Sequence, residues 1–134
     1  MDTIQAAMLM VSMEYLEEKI IRRREIAQYY TDVMKDVITC PKEDDSYEVY
    51  YNYVVRSGKR DELKSYLDSR GVETKIHYPI LMPLHTAYRE QYSDCDLPVA
   101  KRVVNEILSI PNHEDLTDSE VEYVADCIRA FYGA

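Results

Sequence analysis

Apolar residues recur at helical spacing from the start of the chain. Leu9, Met13, Leu16 and Ile20 make one stripe, and Ile4, Met8, Val11 and Tyr15 make a second. No proline or glycine interrupts residues 2–36, so the spacing predicts one long helix, capped by Asp2 or Thr3. Between Ile4 and Met13 the polar exceptions are Gln5 and Ser12. A helix apolar on nearly every side must be buried on most sides. Its cover is either a surface outside this chain or the chain's own small core.

The pattern then shortens. Thr39 to Ser46, with Pro41 and the acidic cluster Glu43-Asp44-Asp45, reads as a connector. Val49 to Arg56, rich in tyrosine and valine with Asn52 as its interruption, predicts a strand. After the turn at Ser57-Gly58, Asp61 to Arg70 predicts a helix with Leu63 and Leu67 on its inner face. Gly71 supplies the left-handed residue that stops it. Val72, Thr74 and Ile76 alternate with Glu73 and Lys75, as in a strand with one buried face, and Pro79 ends any pairing. The two strands are parallel neighbours or have a third between them.

Asp96-Leu97-Pro98 opens a helix whose apolar face is read as Val99, Val103, Ile107 and Leu108. Ser109-Ile110-Pro111 reads as an extended segment, at most an edge strand. Thr117 and Glu120 have capping-box spacing before a final helix carrying Val121, Val124, Ile128 and Phe131. The sum is an α+β domain built around a compact α/β unit: a long first helix and a two- to three-stranded sheet with flanking helices.

Composition narrows the functions. The 134 residues make one domain by length, and 46% hydrophobic with 31% charged is ordinary for a globular protein. A net charge of −9 argues against a nucleic-acid groove or an anionic-lipid face. The basic run Arg22-Arg23-Arg24 sits among glutamates and reads as a solvated helix face. Tyr50, Tyr51 and Tyr53 read as strand residues rather than a base-stacking platform. Cys40, Cys95 and Cys127 are odd in number and far apart, which suits reduced thiols in a cytoplasm. No apolar run approaches the ~20 residues of a membrane span.

Catalytic signatures such as a glycine-rich phosphate loop, HExxH or GxSxG are absent from the sequence. His77, His85 and His113 have no carboxylate at ligand spacing, so no metal site is expected. Cys95 is set among Asp94 and Asp96, which disfavour a thiolate nucleophile. His77 and Tyr78 stand at a strand end, where a rigid scaffold meets a loop. Two readings of His77 stay open there. One, the commoner, is a structural histidine bonded to a backbone carbonyl; the other is a ligand donor or acid/base.

Several segments in order carry a resemblance. They are Asp2-Thr3-Ile4-Gln5-Ala6-Ala7, Arg60-Asp61-Glu62-Leu63 followed by Gly71-Val72-Glu73-Thr74, Ile76-His77-Tyr78-Pro79, Asp96-Leu97-Pro98-Val99-Ala100, and Ile107 to His113 with Leu116-Thr117. Together they resemble the C-terminal part of the DegT/DnrJ/EryC1/StrS family, pyridoxal-phosphate (PLP)-dependent aminotransferases of nucleotide-linked keto sugars. The resemblance runs from residue 2 to about 131 and implies the small C-terminal domain of a fold type I PLP aminotransferase.

It also implies a missing partner: an N-terminal large domain holding the cofactor cup and the Schiff-base lysine, whose motif is not found here. The chain is then a fragment, with no catalytic residue of its own, expected to be inactive alone and to bind no PLP alone. By the resemblance, His77 lines the substrate side of the cleft, with Tyr78 and Lys75 beside it, and Gln5 lies at the domain junction and active-site rim. Lys75 stands where relatives often carry glycine or arginine, and the loop Ile80 to His85 departs from the commoner spacing, which touches sugar specificity. The expected partners are the large domain, a nucleotide sugar and a second copy packed on the apolar first helix; nucleic acid and membrane are not. The alternatives are a free-standing, non-enzymatic interaction or regulatory module, and a pseudo-enzyme remnant.

Overall fold

The expected N-terminal helix is two helices. The computed structural model, which describes residues 2–42, 46–92 and 94–134, has α1 at Thr3–Glu14 and α2 at Leu16–Met34. Tyr15 separates them with φ −104° and ψ 6°, and its N–H bonds back to Ser12 and Met13 carbonyls. No proline or glycine forces this break, so the apolar pattern carries no trace of it. Met1, Ser93 and the cluster Glu43-Asp44-Asp45 lie outside the described residues.

Asp2 is the cap. Its Oδ1 accepts from the N–H groups of Ile4 (2.9 Å) and Gln5 (3.1 Å), while Gln5 Oε1 accepts from Asp2 N (3.2 Å). No residue of α1 is buried. Its apolar residues face water instead, with Ile4 74%, Met10 71% and Met8 67% exposed. The centre-of-the-core alternative for this helix therefore fails.

The core begins one helix later. Ile26, Tyr30 and Met34 of α2 are buried with Val121, Val124 and Ile128 of the last helix, α6 (Asp118–Tyr132). Thr117 caps α6 in the expected reciprocal box with Glu120. The sheet adds Tyr53 and Val55 from β1 (Tyr53–Arg56) and Leu108 and Ile110 from β2 (Ile107–Ile110). Leu63 and Leu67 of α3 (Arg60–Ser69) close it, both fully buried. Each such side chain contributes about 1.5–3 kcal/mol by leaving water.

β1 and β2 pair antiparallel, with Tyr53 opposite Ile110 and Val55 opposite Leu108. Single bridges extend the ladder on both sides, Thr39 to Arg56 and Lys75 to Ser109. Across the sheet the order is Thr39, β1, β2, Lys75. The segment read as an edge strand is thus the centre, lying between the two segments whose relation the sequence left open. Ile107 and Leu108 belong to it and not to the preceding helix, α5, which spans Pro98–Val103. An apolar run buried along most of its length suits a strand covered on both faces better than one side of a helix.

Two other strands are shorter than expected. β1 starts at Tyr53 rather than Val49, because Tyr50 has a left-handed backbone (φ 48°) that breaks extension. Its carbonyl accepts from Asn112 Nδ2 at 2.7 Å. Val72 and Thr74 are buried and Glu73 and Lys75 exposed, as the alternation requires, yet the pairing is confined to the bridge at Lys75. Gly71 takes φ 74°, and the N–H of Val72 returns to the Leu67 carbonyl at 3.0 Å.

The arginine run is not a solvated face. Arg22 binds the Leu116 carbonyl and Asp118, Arg23 binds Glu114 and the Tyr51 carbonyl, and Arg24 binds the Glu48 carbonyl. These contacts pin two loops to α2. Glu114 receives Arg23 at 2.7 Å and Lys19 at 3.1 Å. Its own backbone N–H, then Arg23, hold its carboxyl down at about 2 from the usual 4.5. A depressed carboxyl stabilises the fold above its unfolded pKa, and that stabilisation is lost as pH falls toward the folded value. Glu114→Gln should therefore cost about 1–2 kcal/mol at neutral pH. Urea unfolding should show the gap from wild type closing between about pH 5 and about pH 2.

Candidate functional site

β2 positions the histidine. The backbone bridge between Lys75 and Ser109 (3.0 and 2.8 Å) hangs the segment after Gly71 on the central strand. Two residues on, the His77 ring meets the Ser109 hydroxyl, Nδ1 to Oγ 2.8 Å. The partner is a buried side-chain hydroxyl and not the backbone carbonyl of the structural reading. Nε2 has no partner among the described residues, so the ring is oriented by one nitrogen and open at the other.

Around it lies an open groove of about 350 Å³. Tyr51 and Asn52 form one side, Glu73, Lys75 and His77 another, and Ser109 to His113 the base. His77 and His113 thus share this groove, whereas His85 lines a different one. Lys75 pairs with Glu73 at 3.2 Å, with both side chains mostly exposed (67% and 80%), so the pair is weak. Asn112 is buried at the base with Oδ1 unpartnered among the described residues, and Thr74 Oγ1 is likewise buried without a partner among them. Ser109 and Asn112 are the groove residues the sequence did not single out.

Tyr78 turns away. It is 81% exposed and holds φ 57°, a left-handed backbone costing on the order of 1 kcal/mol for a residue with a side chain. It does not line the groove. Gln5 does not line it either; its side chain is engaged in the α1 cap. Among the described residues no group of three His, Cys, Asp or Glu side chains is placed to hold a metal, and no helix is long and apolar enough to cross a membrane.

An α+β domain of this architecture, with a histidine set at the end of its central pairing, has relatives. The sequence profile of the DegT/DnrJ/EryC1/StrS aminotransferase family matches residues 1–129, and the chain belongs to that family. It is 33% identical over 98% of its length to the pleiotropic regulatory protein of Geobacillus stearothermophilus, and covers 37% of that protein. To the dTDP-3-amino-3,6-dideoxy-alpha-D-galactopyranose transaminase of Aneurinibacillus thermoaerophilus it is 33% identical over 98% of its length, covering 36% of the enzyme. The crystal structure of S. venezuelae DesV in complex with a ketimine intermediate superposes over the whole chain with a TM-score of 0.95 and 30% identity, and 37% of DesV is covered. The chain spans little more than a third of the relatives it matches.

The family implies pyridoxal phosphate, and the groove alone does not fit it. A covalently held cofactor needs a desolvated lysine and a carboxylate set against its ring nitrogen. The groove's lysine and acid, Lys75 and Glu73, are both mostly exposed, so neither is desolvated. What this chain offers is an oriented imidazole and a polar wall. Ser109→Ala should leave the fold within about 1 kcal/mol of wild type. Long-range 15N–1H spectra at mildly alkaline pH should then pass from one dominant His77 tautomer to a mixture of two.

Proposed function

We propose that this chain is the small C-terminal domain of a PLP-dependent aminotransferase that moves an amino group from an amino acid such as glutamate to a nucleotide-linked keto sugar. Polysaccharide or amino-sugar biosynthesis in the cytoplasm is the setting for such a product. The observation that carries the reading is His77, held at Nδ1 by Ser109 with Nε2 open in a groove. In this role His77 donates to or accepts from the bound sugar with Lys75 beside it in the groove, Tyr78 reaches the cleft from outside that groove, and Gln5 stands at the junction with the large domain. That domain, absent from these 134 residues, holds the cofactor and its lysine. This chain binds and orients substrate and excludes water from one side of the cleft.

α1 supports the same reading. A free-standing module has no use for a helix that leaves Met8, Leu9, Met10 and Val11 exposed together. In the whole enzyme these residues pack on another surface, and in the isolated chain they pack on a second copy.

Purified alone with pyridoxal phosphate, glutamate and a nucleotide keto sugar, the chain should give no amino sugar; measurable turnover would sink the proposal. A hybrid in which it replaces the matching part of DesV should turn over. His77→Ala in that hybrid should lower kcat/KM about 10- to 100-fold. Light scattering at micromolar concentration should find the isolated chain self-associated, and Leu9→Glu with Met10→Glu should return it to monomer. A wild-type monomer would remove α1 as an interface.

A further inference from the structure

Arg23 reaches the groove of His77 from outside it. Its guanidinium sets Nε and Nη2 on one oxygen of Glu114, at 2.9 and 2.7 Å, and Nη1 on the Tyr51 carbonyl at 3.2 Å. The guanidinium carbon also stands 5.4 Å from the centroid of the Tyr51 ring, within cation–π range. Lys19 takes the other Glu114 oxygen at 3.1 Å. Tyr51 lines the groove, and so does His113, the sequence neighbour of Glu114; Arg23 itself does not.

Tyr51 depends on such a hold. It is 73% exposed, too open for packing to select one rotamer. The residue before it, Tyr50, keeps its left-handed φ of 48° with its carbonyl on Asn112 Nδ2 at 2.7 Å. A backbone of that kind persists only where its surroundings over-determine it. Successive carbonyls of this wall are thus taken by side chains, one from the groove's base and one from α2. An ion pair with Glu114 alone would need only a cation, which a lysine supplies. The contacts to Tyr51 need a planar group with donors on more than one side.

We propose that Arg23 is a positioning residue of this groove: from α2 it holds Tyr51 and the His113–Glu114 corner together, so that the Tyr51 wall is in place before a ligand enters. A wall ordered in advance spares the ligand the cost of ordering it. That the ligand is a keto sugar rests on the aminotransferase reading; the hold on Tyr51 does not.

Arg23→Lys separates positioning from fold, since it keeps a cation on Glu114 and withdraws the grip on Tyr51. On the isolated chain, three-bond couplings across the Tyr51 Cα–Cβ bond should report one staggered rotamer in wild type and an average over several in Arg23→Lys. Arg129→Ala, which removes an arginine tie to the Val33 carbonyl away from the groove, should leave those couplings unchanged. Averaging already present in wild type, or a single rotamer surviving in Arg23→Lys, overturns the inference. In the DesV hybrid, Arg23→Lys should raise KM for the keto sugar about 2- to 10-fold and leave kcat within about twofold. Tyr51→Ala should raise KM at least as much, and adding Arg23→Lys to it should change nothing further. A fall in kcat alone, or additive effects of the two substitutions, also overturns it. A hybrid that fails to turn over with the wild-type sequence sinks the aminotransferase reading, and the Tyr51 couplings then decide the role of Arg23 by themselves.

Discussion

The pairing of β2 is the constraint on which the rest depends. Leu108 and Ile110 enter the core, and the same strand bonds β1 along one edge and Lys75 along the other. Backbone groups so buried must be paired, and β2 satisfies its own by recruiting two segments far apart in sequence. Once that is done, α2, α3 and α6 have a surface to cover, and His77 has a fixed point to lean on. The tyrosines follow the same logic. Tyr30 is buried and donates to the Pro111 carbonyl just past β2, and Tyr53 shares its hydroxyl with Thr31. Burial raises the pKa of both phenols far above the ordinary value, so they stay neutral donors.

Charge plays a different part from the one its average implies. The net −9 describes the far field, and it disfavours polyanionic partners as a whole. Locally the basic residues are used one at a time. Arg22, Arg23 and Arg24 fasten loops to α2, Arg129 donates to the Val33 carbonyl, and Arg60 reaches the carbonyls of Val104 and Ile107. Several of these bonds end on backbone oxygens of loops or strand ends, where no ladder partner is available. Arginine with its five donors is suited to this work, and the sequence offers it where helices pass loops.

Much of this was legible beforehand, for local reasons. The stop at Gly71, the box at Thr117, the buried face of Val72 and Thr74, and the helices holding Leu63 and Val121 each depend on near neighbours in sequence. What was hidden depended on distant ones. The break at Tyr15 has no residue signal, the centrality of Ile107–Ile110 is a fact of tertiary pairing, and the arginine run looked solvated because its carboxylate and carbonyl partners lie far along the chain. At the site, the strand end marked His77 but not Ser109, which is 32 positions away. The family resemblance reached the family and its fold; it did not supply the hydroxyl that orients the ring.

Ser109 carries two bonds at once, its backbone to Lys75 and its side chain to His77. Sheet registration and ring orientation are therefore one variable. Slip β2 by a single residue and an aliphatic side chain, Leu108 or Ile110, takes the place of the hydroxyl, while the core-facing positions are exchanged with those opposite. Insertions or deletions in the Val104–Glu106 turn just before β2 would reach the groove through that slip. Such changes would read in a genetic screen as active-site lesions, although no groove residue had been altered.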